Sequence, residues 1–204
     1  MIYEMRTFDL RPGMVPEFEK RYAAALPERT KISPLGALWH TEIGPLNQVI
    51  AVWPYADMAE RERARGEAAR TGIWPPNVQD LVAHEQAWIL NPAPFMRPLP
   101  AGELGNIYEM RLYTAHLGKI SDVIRVWSPR VADREKLSPL VACWFTDLGP
   151  LSLWIHVWPY PDLNARARVR ADANRLENWP PPTREFLDRQ ENKILVPAEF
   201  SPLH

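Results

Sequence analysis

Ile2-Tyr3-Glu4-Met5-Arg6 returns 105 residues later as Ile107-Tyr108-Glu109-Met110-Arg111. The same offset, without a gap, carries Ser33-Pro34-Leu35 onto Ser138-Pro139-Leu140 and Gly44-Pro45-Leu46 onto Gly149-Pro150-Leu151. It also carries Val52-Trp53-Pro54-Tyr55 onto Val157-Trp158-Pro159-Tyr160, and Trp74-Pro75-Pro76 onto Trp179-Pro180-Pro181. The chain is a tandem duplication. A unit of this length is far longer than a solenoid or propeller repeat, so each copy reads as a small domain. The expected division is 1–96 and 106–204, joined by a Pro/Gly-rich, extended linker at 97–105.

Within a copy the periods change in a fixed order. Ile2 to Phe8 alternates as a strand, with Glu4 and Arg6 on one face and Tyr3 and Met5 on the other. Val15, Phe18, Tyr22 and Leu26 then make a helical apolar stripe, with Pro27 expected to disturb its last turn. In the second copy Pro129 stands where the first has Ala24, so that helix should kink or stop early. Leu35–Ile43 and Gln48–Trp53 flank Gly44-Pro45-Leu46-Asn47 and read as a hairpin. Asp57 and Glu60 form a capping box ahead of an Arg-dense helix over 57–71; Asp162 keeps the cap but Ala165 replaces the glutamate. A short helical piece from Val78 to His84 and a strand from Gln86 to Leu90 complete the copy. The order β-α-β-β-α-β is the ferredoxin-like split unit. The fold class is therefore α+β. Helices on one face leave the other face of each sheet bare, so the two sheets are expected to pack face to face as an intrachain pseudo-dimeric α/β barrel.

Composition excludes more than it selects. Charged residues are 24% of the 204 and net charge is −1, without a basic block, so nucleic-acid and anionic-membrane surfaces have no electrostatic footprint. No signal peptide or membrane span is visible, and a cytoplasmic location is expected. Cys143 is the single cysteine and reads as an apolar filler. No metal spacing occurs, and neither GxGxxG, a P-loop nor GxSxG is present, so no metal or cofactor is expected. Haem is a less expected occupant, because one histidine without a pocket signature is weak support for it.

Tyr-Glu-Met-Arg in the first strand, the Gly-Pro-Leu hairpin, and Trp-Pro-Tyr followed by an Arg-rich helix resemble the NIPSNAP family. The resemblance covers nearly all of both copies. It implies the dimeric α/β-barrel, ferredoxin-like superfamily, whose members include cofactor-free monooxygenases, haem-degrading enzymes, isomerases and ligand-binding modules. The family carries no agreed chemistry or catalytic residues. Fold alone does not choose among these.

Four sets of residues are candidates for chemistry. Glu4 with Arg6, and Glu109 with Arg111, are either a general acid or base beside a cation or an ion-pair network organising the sheet–sheet interface. The presence of both pairs in both copies favours the structural role. The helix arginines either bind an anionic ligand or pair with acids on a solvated helix; Arg61 and Arg166, nearest the Trp-Pro-Tyr turn, are the ones expected to bind a ligand. Trp39, Trp53, Trp144 and Trp158 pack a core or line an aromatic pocket, for which Tyr3, Tyr55, Tyr108 and Tyr160 would supply polar handles. His40 faces Phe145 in the alignment and His156 faces Ala51, an asymmetry expected of copies that specialise. The resulting expectation is a small aromatic or acidic organic ligand, with cofactor-independent oxygenase or isomerase turnover as one extension and homo-oligomerisation as another. The alternative is a non-enzymatic structural or interaction module.

Overall fold

The computed structural model describes residues Met1 to His204. The first copy contributes β1 (Ile2–Leu10), α1 (Val15–Thr30), β2 (Ala37–Ile43), β3 (Gln48–Tyr55), α2 (Met58–Arg70) and β4 (Val82–Pro92). The second contributes β5 (Ile107–Ala115), α3 (Ile120–Trp127), α4 (Val131–Glu135), β6 (Ala142–Leu148), β7 (Leu153–Tyr160), α5 (Leu163–Ala173) and β8 (Leu187–Pro197). The segment expected to be helical at 78–84 is a turn running into a longer β4, and its counterpart is a single 3-10 turn at Arg184–Phe186. No helix is long and apolar enough to cross a membrane.

The two prolines behave differently. α1 runs through Pro27 to Thr30 without a break, because Pro27 is on the exposed side, where a freed carbonyl meets water. Pro129 falls nearer the helix middle and splits the element into α3 and α4. Ser128 Oγ donates to the Ile124 carbonyl at 2.8 Å and Arg130 Nη1 to the Val126 carbonyl at 2.7 Å, so carbonyls at the break keep partners. The Asp57 cap forms as read, with the Glu60 amide donating to Asp57 Oδ1 at 2.8 Å. The Glu60 carboxylate, however, accepts from the Ala56 amide, one residue before the N-cap, rather than from Asp57 as in a full capping box.

Each copy orders its strands 4-1-3-2, all antiparallel, and the two sheets join edge to edge through β2–β8 and β4–β6 into one closed eight-stranded barrel. The halves therefore share backbone hydrogen bonds as well as apolar faces, and no sheet edge is left open. The interior is filled by Tyr3, Met5 and Trp39 from one copy and Tyr108, Met110 and Trp144 from the other. Ring contacts cross the copies, Tyr3 to Trp144 at 5.5 Å and Trp39 to Tyr108 at 5.6 Å.

This corrects one expectation. Glu4, Arg6, Glu109 and Arg111 do not lie between the sheets; they are on the opposite face, under the helices. The alternation of β1 is as read but its faces are reversed. A sealed apolar barrel offers a carboxylate no countercharge, whereas the helix side offers arginines.

The linker is not a free spacer. Leu99 and Leu104 pack against the barrel core, and Gly102 pairs with Leu203 in a parallel bridge. Gly105 runs so close to Tyr160 that a Cβ there would lie 2.7 Å from its carbonyl oxygen. The segments after β4 and β8 cross over: Phe95 packs on Trp154 of the second copy, and Phe200 stacks on Tyr22 of the first. Residues 1–97 expressed alone lose both edge pairings and the barrel core, so sedimentation velocity should find a dimer or aggregate. A well-folded monomer would contradict this account.

Candidate functional site

Between the sheet and the helices each copy encloses a cavity, about 400 Å³ in the first half and about 540 Å³ in the second. At the sheet side of each is a buried carboxylate. Arg61 and Arg65, one turn apart on α2, reach Glu4 Oε1 at 2.7 and 2.8 Å. Arg166 and Arg170 of α5 reach Glu109 at 2.6 and 3.4 Å, joined by Arg111 at 3.1 Å and by the Asn192 amide at 3.2 Å. Arg61 and Arg166 thus turn inward onto the carboxylates but line neither cavity; Arg65 and Arg170 are the helix arginines on the cavity walls. Burial pushes the Glu109 pKa up, but the Arg166 hydrogen bond and the charges of Arg111 and Arg170 outweigh it, leaving a net value below the usual 4.5. Glu109 is therefore a held carboxylate rather than a proton donor at neutral pH.

The residues that the sequence reading passed over are Arg29 and Arg134. Both line the cavities and both are almost fully buried, at 2% and 3% exposure. Arg29 Nη2 donates to Tyr55 Oη at 2.7 Å and its guanidinium lies 4.4 Å from the Trp53 ring centroid. Arg134 Nη2 donates to Tyr160 Oη at 3.0 Å and sits 4.2 Å from Trp158. Neither forms an ion pair; the only other bonds are long ones, at 3.5 Å, to the carbonyls of Ser33 and Ser138. Burial lowers the Arg134 pKa while Tyr160 opposes the shift, and an arginine stays charged regardless. Trp53, Tyr55, Trp158 and Tyr160 are therefore cavity residues, with Trp74 and Trp179 beside them. A signal existed: Arg29 and Arg134 are matched at the repeat offset, four residues ahead of each Ser-Pro-Leu.

Tyr3, Trp39, Tyr108 and Trp144 line neither cavity; they belong to the barrel interior. The two histidines also part company. His40 pairs through Nδ1 with Glu19 of α1 at 2.8 Å, partly exposed and outside both cavities. His156 is buried in the wall of the second cavity, 4.6 Å from the Trp127 ring. Its Nδ1 accepts the Trp158 indole N–H at 2.7 Å. Burial, with Arg111, Arg134 and Arg170 nearby, holds its pKa well below the usual imidazole value, so the ring is neutral and its proton is on Nε2. The ring can donate to a ligand but has no free lone pair with which to accept. Cys143 is fully buried and burial pushes its thiol pKa up, consistent with a packing role.

The pH dependence of Glu109 has a definite sign. A carboxylate with a depressed folded-state pKa stabilises the fold above its ordinary 4.5, and the contribution is lost as pH falls through and below that value. Glu109→Gln leaves Arg111, Arg166 and Arg170 without their partner and should cost about 3–5 kcal/mol in urea unfolding at neutral pH. The gap between wild type and variant should narrow at about pH 3.5, below the ordinary carboxylate range. A gap that is absent, or constant with pH, would remove Glu109 from the stabilising network.

The NIPSNAP family model matches twice, over residues 3–97 and 108–202. The "Protein NipSnap homolog" of Dictyostelium discoideum is 27% identical over 211 residues, which cover 98% of this chain and 88% of that protein. The crystal structure of a NIPSNAP domain protein from Burkholderia xenovorans is 33% identical over 48% of this chain and 99% of its own, with a TM-score of 0.45. A candidate monooxygenase from Fusobacterium nucleatum shares the fold over 96% of this chain and 91% of its own, with a TM-score of 0.69 at 8% identity. Two family matches, one to each copy of the duplicated barrel unit, place the chain in the NIPSNAP family.

Proposed function

We propose that the chain binds a small acidic aromatic molecule in the cavity between sheet and helices. The observation that carries this reading is Arg134: a buried guanidinium on the cavity wall, laid against Trp158, bonded to Tyr160, and paired with no carboxylate. A buried cation without a counterion is costly unless an anion supplies one, and a guanidinium matches a carboxylate with paired donors. Trp179, partly exposed, offers an indole to a ring, backed by the buried indoles of Trp127 and Trp158. Arg29 repeats the arrangement against Trp53 and Tyr55.

Turnover is the extension suggested by the candidate monooxygenase of the same fold, and the residues support it less than they support binding. Glu109 is clasped by three arginines and the Nδ1 lone pair of His156 is taken, so neither is a ready base. The competing structural reading draws on the Glu4 and Glu109 clusters, which tie helix to sheet in both copies. It accounts for those clusters but gives Arg29 and Arg134 no counterion, only tyrosine hydroxyls, serine carbonyls and tryptophan rings.

Titration with benzoate, followed by tryptophan fluorescence, should give saturable quenching that benzyl alcohol does not reproduce. Arg134→Gln should weaken benzoate binding by about 10- to 100-fold, the worth of a charge-assisted hydrogen bond. Binding of neither compound, or equal binding of both, would return the arginines to a packing role.

A further inference from the structure

The two cavities stand on the same scaffold, so their differences bear on what each accepts. Glu85, which pairs with Arg6 in the first, is replaced by Gln190, so Arg111 has no such second carboxylate and its Nε donates instead to Tyr113 Oη at 2.6 Å. Gln79 becomes Arg184. Among the lining residues, three arginines face two glutamates in the first cavity, whereas five arginines face two acids in the second. One of those acids, Asp188, already pairs with His116, and Arg189 with Glu191. The neutral positions shift in the same direction: Ala51 becomes His156 and Tyr22 becomes Trp127. His156 Nε2 and Trp127 Nε1 are both buried in the cavity wall without a hydrogen-bond partner. Both nitrogens carry a proton; indole N–H groups without a partner also occur at Trp39, Trp144 and Trp154 away from the cavities, so His156 Nε2–H is the donor that distinguishes this wall.

We infer that the second cavity is a site for a dianion: an aromatic molecule with two anionic groups, such as a dicarboxylate, one of whose oxygens accepts the His156 Nε2–H. The first cavity, with Glu85 and Ala51 at the matching positions, takes at most a monoanion. This rests on the reading that the cavities hold acidic aromatic molecules, and adds the charge of the ligand and the half that selects it.

The test compares isophthalate with benzoate by calorimetry on the full chain. Isophthalate should bind at one site per chain and more tightly than benzoate by about 10-fold or more, as one added charged contact provides. His156→Ala and Gln190→Glu give the second cavity the residues that the first already accommodates, and each should cut the isophthalate-over-benzoate preference by about 10-fold. Gln190 is exposed, so Gln190→Glu carries the test even if His156→Ala fails to fold. Isophthalate that binds no tighter than benzoate, fills two equal sites, or keeps its preference in Gln190→Glu overturns the inference. If benzoate still binds and Arg134→Gln still weakens it, the proposed function survives that result; if neither acid binds, both readings fall.

Discussion

A four-stranded sheet with helices on one side has an apolar face it cannot leave in water, and a small domain buries too little elsewhere to offset that exposure. Here the solution is closure against a copy of itself. Tyr3, Met5 and Trp39 meet Tyr108, Met110 and Trp144 inside the barrel, while β2–β8 and β4–β6 remove the sheet edges. Once the inner face is committed to this seal, the charged residues of β1 and β5 fall on the other face. Glu4 and Glu109 then need cations from α2 and α5, and the space around those clusters becomes the cavity. The site is thus a by-product of where the barrel places its charges.

Most of the fold was legible because it is written twice. Repetition fixed the register of every element, and period-two alternation in Ile2–Phe8 separated Tyr3 and Met5 from Glu4 and Arg6. Which face turns inward was not legible. That choice depends on countercharges from Arg61, Arg65, Arg166 and Arg170, which lie more than fifty residues away in the chain. Pro27 and Pro129 show a similar limit. One is tolerated and one breaks its helix, a distinction made by position along the helix and by what replaces the missing bonds.

The site was half legible. Trp53, Tyr55, Trp158, Tyr160 and His156 were within reach of the repeat comparison, but Tyr3, Trp39, Tyr108 and Trp144 could not be separated from them by residue type alone. His40 and His156 looked equivalent as mid-strand histidines, yet one is opposite Glu19 and the other opposite Trp127. Arg29 escaped notice because it continues the buried stripe of α1 beyond Leu26, where a residue is read as apolar or ignored. A charge on an apolar stripe, matched 105 residues later, is the kind of local inconsistency that marks a site.

The crossover of the segments after β4 and β8 has a consequence for symmetry. Phe200 lies against Tyr22 in the wall of the first cavity, and Phe95 against Trp154, which contacts Trp127 of the second. Each cavity is lined by its own half, and one aromatic side chain from the other half packs behind its wall. In an assembly of two identical single-repeat chains, any substitution in a cavity or its brace appears twice, and the two sites are bound to remain the same. Covalent joining lifts that degeneracy. A single codon can then alter one cavity and leave its twin unchanged, and His156 opposite Ala51 is a difference that two identical chains could not hold.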